Sequence, residues 1–436
     1  MQEVLSKVEE YAKQNLCSKK WEAGKDWVQY AGPYFDHNEF IAATKALLSG
    51  WLVLAEDGLR FERIFPAFVG KEHGILTNSG SSSNLLMMSA MTSKRLHGFP
   101  RGTKVITPIA GFPTTINPIF QVGFEPYFVD IELDTLNLNL DQIQAGIDAG
   151  AKIITFAHVL GNPPNMDKLM KLVKDNSLIL LEDCCDALGS TYDGKLLGSF
   201  GEYSSCSFYP AHHITMGEGG FVACDNKLQE VIVRSFREWG RGCYCTGKKA
   251  NLLKNGTCNK RFHNWLPSLP EEIFDHKYVY DEIGYNLKPI ELQASIGLVQ
   301  LTKFPEIVRK RKENHAQLLS AFSKYEEFFY LPKATEKSNP SWFAFAITIK
   351  DNAPFKRRDI VNFFESAKIQ TRPYFAGHIM LQPAYDGLMD KETIIKNYPV
   401  ARKVTSDTFF LGTSPVINPD QISYIEEKLE SFIAQI

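Results

Sequence analysis

Short apolar runs alternate with amphipathic stretches from about residue 74 onward. The apolar runs of buried-strand type are residues 105–108, 127–130, 153–157 and 178–181. The stretches between them that have helical spacing are residues 83–96, 140–149 and 166–174. Strands that alternate with helices predict an α/β fold whose mostly parallel sheet is covered on both faces. In such sheets ligands bind at the carboxyl ends of the strands.

The flanking regions have different patterns. Residues 1–17 form an amphipathic pattern that predicts a starting helix, and residues 239–280 break the strand–helix rhythm as a long irregular loop. A long helical region is predicted at 289–325, followed by a mixture of strand and helix at 342–349, 358–367 and 419–436. We therefore expect an N-terminal arm (1–45), a large domain (46–300) and a small α+β C-terminal domain (301–436).

Composition excludes several classes of protein. The 436 residues are 44% hydrophobic and 22% charged, and 48 Lys and Arg stand against 50 Asp and Glu. This balance gives no basic surface for a nucleic acid. We see neither a signal peptide nor an apolar segment of membrane-spanning length, so we expect a cytoplasmic protein without a membrane partner. In that compartment eight cysteines indicate metal binding or core packing rather than a disulfide framework.

Three segments carry candidate binding chemistry. The small-residue loop 78–84 precedes a helical run, so its free amides suit a phosphate, although for the loop by itself a serine N-cap is the favoured interpretation. Asp183 ends a buried strand and faces the predicted crevice, or it caps a helix. Phe112 follows another strand and suits stacking on a flat ligand, whereas core packing is the commoner fate of a phenylalanine.

Residues 207–220 resemble the cofactor-lysine segment of the DegT-type sugar aminotransferases. That family reads Ser-Phe, three variable residues, Lys, and then a short run into Gly-Glu-Gly-Gly; here His212 holds the lysine position. The resemblance implies the type I, aspartate-aminotransferase-like fold of enzymes that depend on pyridoxal phosphate (PLP). A lysine tethers this cofactor as a Schiff base, which an imidazole cannot form, but an imidazole can move a proton near neutral pH.

The same resemblance implies roles for other residues of the cofactor site. Gly80, Ser81, Ser82 and Ser207 would hold the phosphate. Asp183 would pair with the protonated pyridine nitrogen, and Phe112 would stack on the ring. Asp186 replaces the glutamine of the family segment and joins the site.

The segment Gly284-Tyr285-Asn286 also matches the family. Asn286 would reach the phosphate site of a neighbouring subunit, which implies a homodimer.

Four cysteines form a candidate metal site. Cys185 lies in the Asp183 segment, while Cys243, Cys245 and Cys258 lie in the irregular loop. Four thiolates suit an iron–sulfur cluster or a structural zinc. The other four cysteines are interpreted as small buried residues.

Together, His212, the Cys-Cys-Asp segment and the Cys-x-Cys loop resemble the 3-dehydrase branch of the family. These enzymes use pyridoxamine phosphate (PMP) and a [2Fe–2S] cluster. The resemblance implies removal of the 3-hydroxyl of a nucleotide-linked 4-keto-6-deoxyhexose such as CDP-4-keto-6-deoxyglucose, in 3,6-dideoxysugar and O-antigen (lipopolysaccharide) biosynthesis. It makes His212 the base, with Asp186 and Tyr209 as further catalytic candidates and His213 as a neighbour that orients it. His378 and Leu381 depart from the relatives near their sugar site.

A [2Fe–2S] cluster carries single electrons, so the resemblance also implies a partner: an NADH-dependent reductase with flavin and iron–sulfur groups. Three alternatives remain open. They are an ordinary sugar aminotransferase, a dehydratase without redox chemistry, and a non-catalytic regulator built on the same fold.

Overall fold

The computed structural model describes residues 1–16, 20–243 and 261–436. Its large domain is built on a seven-stranded sheet. The strands are β1 (His73–Thr77), β2 (Lys104–Pro108), β3 (Glu125–Val129), β4 (Ile153–Ala157), β5 (Ile179–Asp183), β6 (Tyr203–Ser207) and β7 (Gly220–Cys224). The spatial order is β1-β7-β6-β5-β4-β2-β3, and β7 runs antiparallel to both neighbours. The predicted mostly parallel α/β sheet is confirmed.

Helices cover the sheet and build the second domain. They are α1 (Gln2–Asn15), α2 (His37–Leu48), α3 (Glu56–Ile64), α4 (Gly80–Ala90), α5 (Pro113–Gln121), α6 (Ile143–Asp148), α7 (Met166–Asp175), α8 (Lys227–Arg237), α9 (Glu291–Ser323), α10 (Arg357–Ser366), α11 (Lys391–Asn397), α12 (Pro399–Asp407) and α13 (Pro419–Ile433). No helix of the described ranges is long and apolar enough to span a bilayer.

Adjacent residues of each strand serve two different cores. Leu76 and Ile106 belong to the cluster that includes α7 and part of α9, while their neighbours Ile75 and Val105 pack in the cluster with α4 and α8. This period of two is what a strand buried on both faces requires. Apolar residues therefore cover both surfaces, and Asp183 and Ser207 stand at the carboxyl ends of their strands.

The small domain contains a four-stranded antiparallel sheet. Its strands are β8 (Phe329–Tyr330), β9 (Ala344–Ile349), β10 (Arg372–Pro373) and β11 (Thr408–Gly412), in the order β8-β9-β11-β10. Phe345 and Phe322 pack in its core with helices α10 and α13. The domain boundary expected at residue 300 falls inside α9, which runs without a break into the small domain.

Several element boundaries differ from those predicted. Helix α4 begins at Gly80 rather than at residue 83 because Ser79, in extended conformation, accepts a hydrogen bond from the Ser82 amide. The helix predicted at 140–149 divides into a 3₁₀ turn (Leu140–Gln142) and α6. The region 239–280 contains a short hairpin, Phe262–His263 with Phe274–Asp275, and residues 244–260 lie outside the described ranges.

Strands β6 and β7 enclose the loop that carries His212. Ser207 pairs with Gly220 in the sheet register, and the Phe208 amide donates to the Gly219 carbonyl at 2.8 Å. The loop is thus closed at its base by main-chain hydrogen bonds.

Candidate active site

A cavity of about 700 Å³ lies at the carboxyl ends of the parallel strands. Its wall brings together most of the residues that the sequence singled out. The predicted site residues that line it are Gly80, Ser81, Ser82, Phe112, Asp183, Cys185, Asp186, Ser207, Tyr209 and His212. Residues of the small domain, among them Phe343 and Arg372, close the other side. Their placement matches the ligand crevice expected of this sheet type.

Asp183 stands at the end of β5 within a network of donors. Its Oδ2 accepts hydrogen bonds from the Asn84 amide and the Thr115 hydroxyl, both at 2.7 Å. Its Oδ1 accepts from the Cys185 main-chain amide at 3.1 Å. The Ser205 hydroxyl in turn donates to the Asn84 amide oxygen at 2.5 Å. A buried carboxyl group that accepts these three hydrogen bonds is held in one orientation.

The first turn of α4 forms a cradle against the end of β6. A Cβ atom built on Gly80 would lie 2.4 Å from the Ser207 Cβ, so only a glycine allows this approach. The main-chain amides of the first turn have no acceptor within the helix, and they provide the positive end of its dipole. Hydrogen bonds link the Ser82 hydroxyl to Asn78 at 2.6 Å and to Ser79 at 3.0 Å. This arrangement fits an anion such as a phosphate.

His212 lies on the loop between β6 and β7 and faces a carboxyl group. Its Nδ1 is 3.5 Å from the Asp186 Oδ1, and the two side chains are only 16% and 10% exposed. Burial raises the pKa of the Asp186 carboxyl, while His212 acts in the opposite direction. The Tyr209 ring lies 6.5 Å from the imidazole, centroid to centroid, and is half exposed in the cavity. An imidazole, a carboxyl and a phenol thus share one wall.

His213 has a different environment from its neighbour. It is buried, and its Nε2 lies 2.7 Å from the Ser341 carbonyl oxygen. Burial, aided by the charge of Arg311, holds its pKa well below the ordinary value. His213 is absent from the cavity wall, which agrees with its interpretation as a structural neighbour of His212.

Phe112 and Asn286 are placed differently with respect to the cavity. Phe112 is half exposed in the wall, where its ring makes an edge-on contact with Phe375 at 6.0 Å. Asn286 is exposed, accepts a hydrogen bond from Lys288, and is not a residue of this cavity. The role expected for Asn286 at the phosphate site of a neighbouring subunit stays a prediction.

The cysteines are described only in part. Cys185 lines the cavity, and burial followed by the charge of Asp183 raises its thiol pKa well above the ordinary value. Cys243 is half-buried at the edge of the described residues, and Cys245 and Cys258 lie outside them. Cys184, Cys206 and Cys224 are buried in the apolar cores, as small residues would be.

One further cluster has the residue types of a metal site. Ligand atoms of His158, Glu182 and Cys184 lie within 4.8 Å of one another. Glu182, however, already accepts hydrogen bonds from His158 at 2.8 Å and from the main-chain amides of residues 198, 200 and 201. Burial opposes its ionisation, yet these donors hold its pKa below the ordinary value. The Glu182 carboxyl oxygens thus already have hydrogen-bond partners, and the cluster braces the end of β5.

Sequence patterns did not indicate several residues of the site. Asn84, Thr115 and Ser205 hold Asp183 from three different elements. The Phe343 ring packs 5.3 Å from the His212 ring although the two are far apart in sequence. A signal existed for Thr115, which follows Phe112 closely and lies in the first turn of α5. His378 is fully buried, with its Nε2 3.3 Å from the Ile394 carbonyl, and neither it nor Leu381 lines the cavity.

The chain is similar to proteins of known families and structures. A model describing the DegT/DnrJ/EryC1/StrS aminotransferase family matches residues 33–430. The lipopolysaccharide biosynthesis protein RfbH of Salmonella typhimurium is 41% identical over 98% of this chain and 96% of its own length. The dTDP-4-dehydro-2,6-dideoxy-D-glucose 3-dehydratase of Saccharopolyspora spinosa is 40% identical over 99% of this chain and 92% of its own.

A solved structure has the same architecture. The E. coli GDP-4-keto-6-deoxy-D-mannose-3-dehydratase with bound hydrated PLP superposes with a TM-score of 0.77. It is 26% identical, and the match covers 93% of this chain and 99% of that one. The type I fold implied by the sequence resemblance is confirmed.

Proposed function

The chain belongs to the DegT/DnrJ/EryC1/StrS aminotransferase family, and on that premise we propose that it removes the 3-hydroxyl group of a nucleotide-linked 4-keto-6-deoxyhexose with PMP as cofactor. Relatives at 40% and 28% identity are named as 3-dehydratases of such sugars. CDP-4-keto-6-deoxyglucose is the substrate we propose, as a step toward a 3,6-dideoxysugar. The name of the Salmonella relative supports a place in lipopolysaccharide biosynthesis.

The imidazole of His212 is the observation that carries this proposal. It occupies the loop position where the family has its tethering lysine, and it lies beside Asp186 in the cavity wall. An imidazole holds no carbonyl compound covalently as an imine, but it accepts and returns a proton near neutral pH. At this position the site can therefore still move a proton, but it cannot bind an aldehyde covalently.

The residues present fit a pyridoxal-type cofactor. The cradle of Gly80, Ser81, Ser82 and Ser207 would hold the phosphate, and Asp183 would pair with the pyridine nitrogen. When bound, PMP supplies an amine for a ketone and a ring that accepts electrons.

Each remaining side chain of the wall has a defined task in the proposed reaction. Phe112 would cover the flat face of the cofactor. His212 would take up a proton inside the cavity, and Asp186 would hold the imidazole in one orientation. The Tyr209 hydroxyl would supply a proton to the departing 3-hydroxyl, which leaves as water. These roles need groups on one wall and little bulk water, which the burial of His212 and Asp186 provides.

We further propose that the protein holds a [2Fe–2S] cluster on Cys185, Cys243, Cys245 and Cys258. Cys185 stands next to the cofactor cradle, with its Sγ 3.1 Å from a Cβ built on Gly80. The raised pKa of its thiol means that a cluster would have to displace the proton. Electrons would then come one at a time from an NADH-dependent flavin and iron–sulfur reductase.

A homodimer is the assembly we propose. Exposed apolar side chains surround the segment that carries Asn286: Trp51, Val53 and Ile290 are 63%, 58% and 46% exposed, and Ile283 is 95% exposed. A second copy covering this surface would remove it from water. Asn286 would then reach the phosphate site of the partner.

The proposal is tested by anaerobic purification, analysis of iron and sulfide, activity assays and borohydride trapping. We expect a red-brown protein with two irons and two sulfides per chain, which forms the 3-deoxy sugar from CDP-4-keto-6-deoxyglucose when PMP, NADH and the reductase are supplied. The dTDP and GDP sugars, run in parallel, test the nucleotide. Dehydration by iron-free protein would favour the redox-free dehydratase. A cofactor trapped on a lysine by borohydride would favour the aminotransferase and contradict the proposal.

A further inference from the structure

Arg311 is a cation of α9 whose side chain is fully buried at the junction of the two domains. Its Nη2 donates to the carbonyl oxygens of Ala211 at 3.0 Å and His212 at 2.9 Å. Its Nη1 donates to the Phe343 carbonyl at 3.0 Å. One guanidinium therefore joins the main chain of the His212 loop to the start of β9.

Arg311 joins the His212 loop to Phe343, and these two segments hold the imidazole in place. The His212 and Phe343 rings are 5.3 Å apart, and the Arg311 guanidinium lies 5.8 Å from the Phe343 ring centre. A planar fork of donors holds three carbonyls in one fixed geometry, whereas the three donors of an ammonium rotate on a flexible stem and an apolar side chain has none. We propose, on the basis of the function above, that Arg311 positions His212 for proton transfer.

The charge balance around Arg311 supports a positioning role. Within the described residues, its hydrogen bonds go to three carbonyls, and the acidic group that acts on it is Asp186. Burying a cation without a hydrogen-bonded carboxylate costs more free energy than an apolar side chain of similar volume would. Packing at the domain junction alone would therefore not favour a guanidinium over an apolar side chain. Three carbonyl groups that need one rigid donor would favour it.

Two residues near Arg311 on α9, Asn314 and His315, bind this helix to the small domain. His315 stacks on Trp342 at 4.1 Å, and Asn314 donates to the carbonyls of Thr413, Ser414 and Ile417. These contacts fix α9 to the small domain. Arg311 is the one of these three that also reaches the His212 loop, so the position of the imidazole depends on it.

Asn314 provides a matched control, since it also is buried and also donates to three carbonyls. The variants are R311M, R311K and N314L. The first readout is the His212 ring signal in ¹⁵N-histidine NMR of the apoprotein, assigned by its loss in H212N. The second readout is kcat against KM for the nucleotide sugar, and the third is the thermal midpoint.

We expect R311M to shift or broaden the His212 signal and to lower kcat about 10²-fold, since a displacement near 1 Å has that effect. KM should change less than about threefold. R311K should lie between R311M and the wild type. N314L should lower the thermal midpoint and leave the His212 signal unchanged.

An R311M protein with lowered thermal midpoint but an unmoved His212 signal and kcat would overturn the proposal. If R311M does not fold, R311K decides in the same way: a moved signal with lowered kcat supports it, and no change in either overturns it. The NMR readout needs no cofactor or substrate. A wild type without deoxygenation activity would therefore contradict the proposed function and leave the positioning test intact.

Discussion

The His212 Nδ1 lies 3.5 Å from the Asp186 Oδ1, in a part of the cavity wall that is almost closed to solvent. The contact places the imidazole close enough to act on the ionisation of the carboxyl. Burial raises the pKa of Asp186 above its ordinary 3.8, and His212 limits that rise.

Replacement of Asp186 by asparagine should therefore change how stability depends on pH. Between pH 3.8 and the raised value, the folded wild type binds more protons than the unfolded chain, so it loses stability as pH rises. D186N lacks this loss. We expect the thermal midpoint of D186N, relative to wild type, to increase as pH rises from 3.8 through the raised folded pKa of Asp186. A pH-independent difference would contradict a raised pKa at this carboxyl.

The identity of the base can be decided by comparing two adjacent histidines. H212N should lower deoxygenation by at least about 10²-fold, because the proton acceptor is lost. PMP binding should persist, since the cradle and Asp183 remain. H213N is the control: it removes a contact to the Ser341 carbonyl and should cost stability with little change in rate. The opposite order of the two rates would transfer the role to His213.

The hydrogen bond from Thr115 to Asp183 should contribute to cofactor affinity. T115V removes one of two donors to the Asp183 Oδ2. A bond of this charged type contributes about 1.5–3 kcal/mol, of which part will appear in binding. We expect PMP to bind the apoprotein up to about tenfold more weakly, measured by fluorescence titration. T103V, far from the cavity, should bind as wild type does, and equal affinities of all three proteins would refute the role.

Replacement of Gly80 tests binding of the cofactor phosphate separately from binding of the pyridine ring. G80A places a Cβ 2.4 Å from the Ser207 Cβ, so the first turn of α4 must move. PMP should bind far more weakly, whereas pyridoxamine, which lacks the phosphate, should lose little. S89A in the same helix is the control. Parallel losses for the two ligands would place the phosphate elsewhere.

The buried ion pairs of Glu62 with Arg234 and Arg237 should make the free energy of unfolding depend on pH in the acid range. Burial opposes ionisation of Glu62, yet Arg234 and Arg237 hold its pKa below the ordinary 4.5. E62Q would remove one of the two carboxylates paired with each guanidinium, leaving Glu230 beside Arg234 and Glu238 beside Arg237, and should cost about 1.5–3 kcal/mol in urea unfolding at neutral pH. The Glu62 contribution is present above pH 4.5 and is lost as pH falls through the lowered folded pKa, so the gap to E62Q should shrink in acid. A constant gap would argue against this assignment.

Sequence patterns predicted the parts of the fold that have a local cause. Apolar runs long enough for one strand located β2, β4 and β5 to within a residue or two. The cap at Ser79 was harder to locate, because several serines in a row could each have capped α4.

The candidate site could be located from the sequence where one segment carries several of its residues, as in the His212 loop. The groups that hold its residues were not. Asn84, Thr115 and Ser205 surround Asp183 only after three elements have packed together. Arg311 reaches His212 from about 100 residues away along the chain. Such contacts leave no periodicity in the sequence, since each is a single residue.

The pairing of Ser207 with Gly220 and of Phe208 with Gly219 closes the base of the loop through main-chain hydrogen bonds that do not involve the His212 side chain. Side chains within that loop can therefore be exchanged without rebuilding the sheet that supports it. A change of reaction type would then need few substitutions, because the sheet holds whichever side chain stands at position 212 at the same point of the cavity. Chemistry on this architecture is modular, and its evolutionary history is expected to turn on single codons.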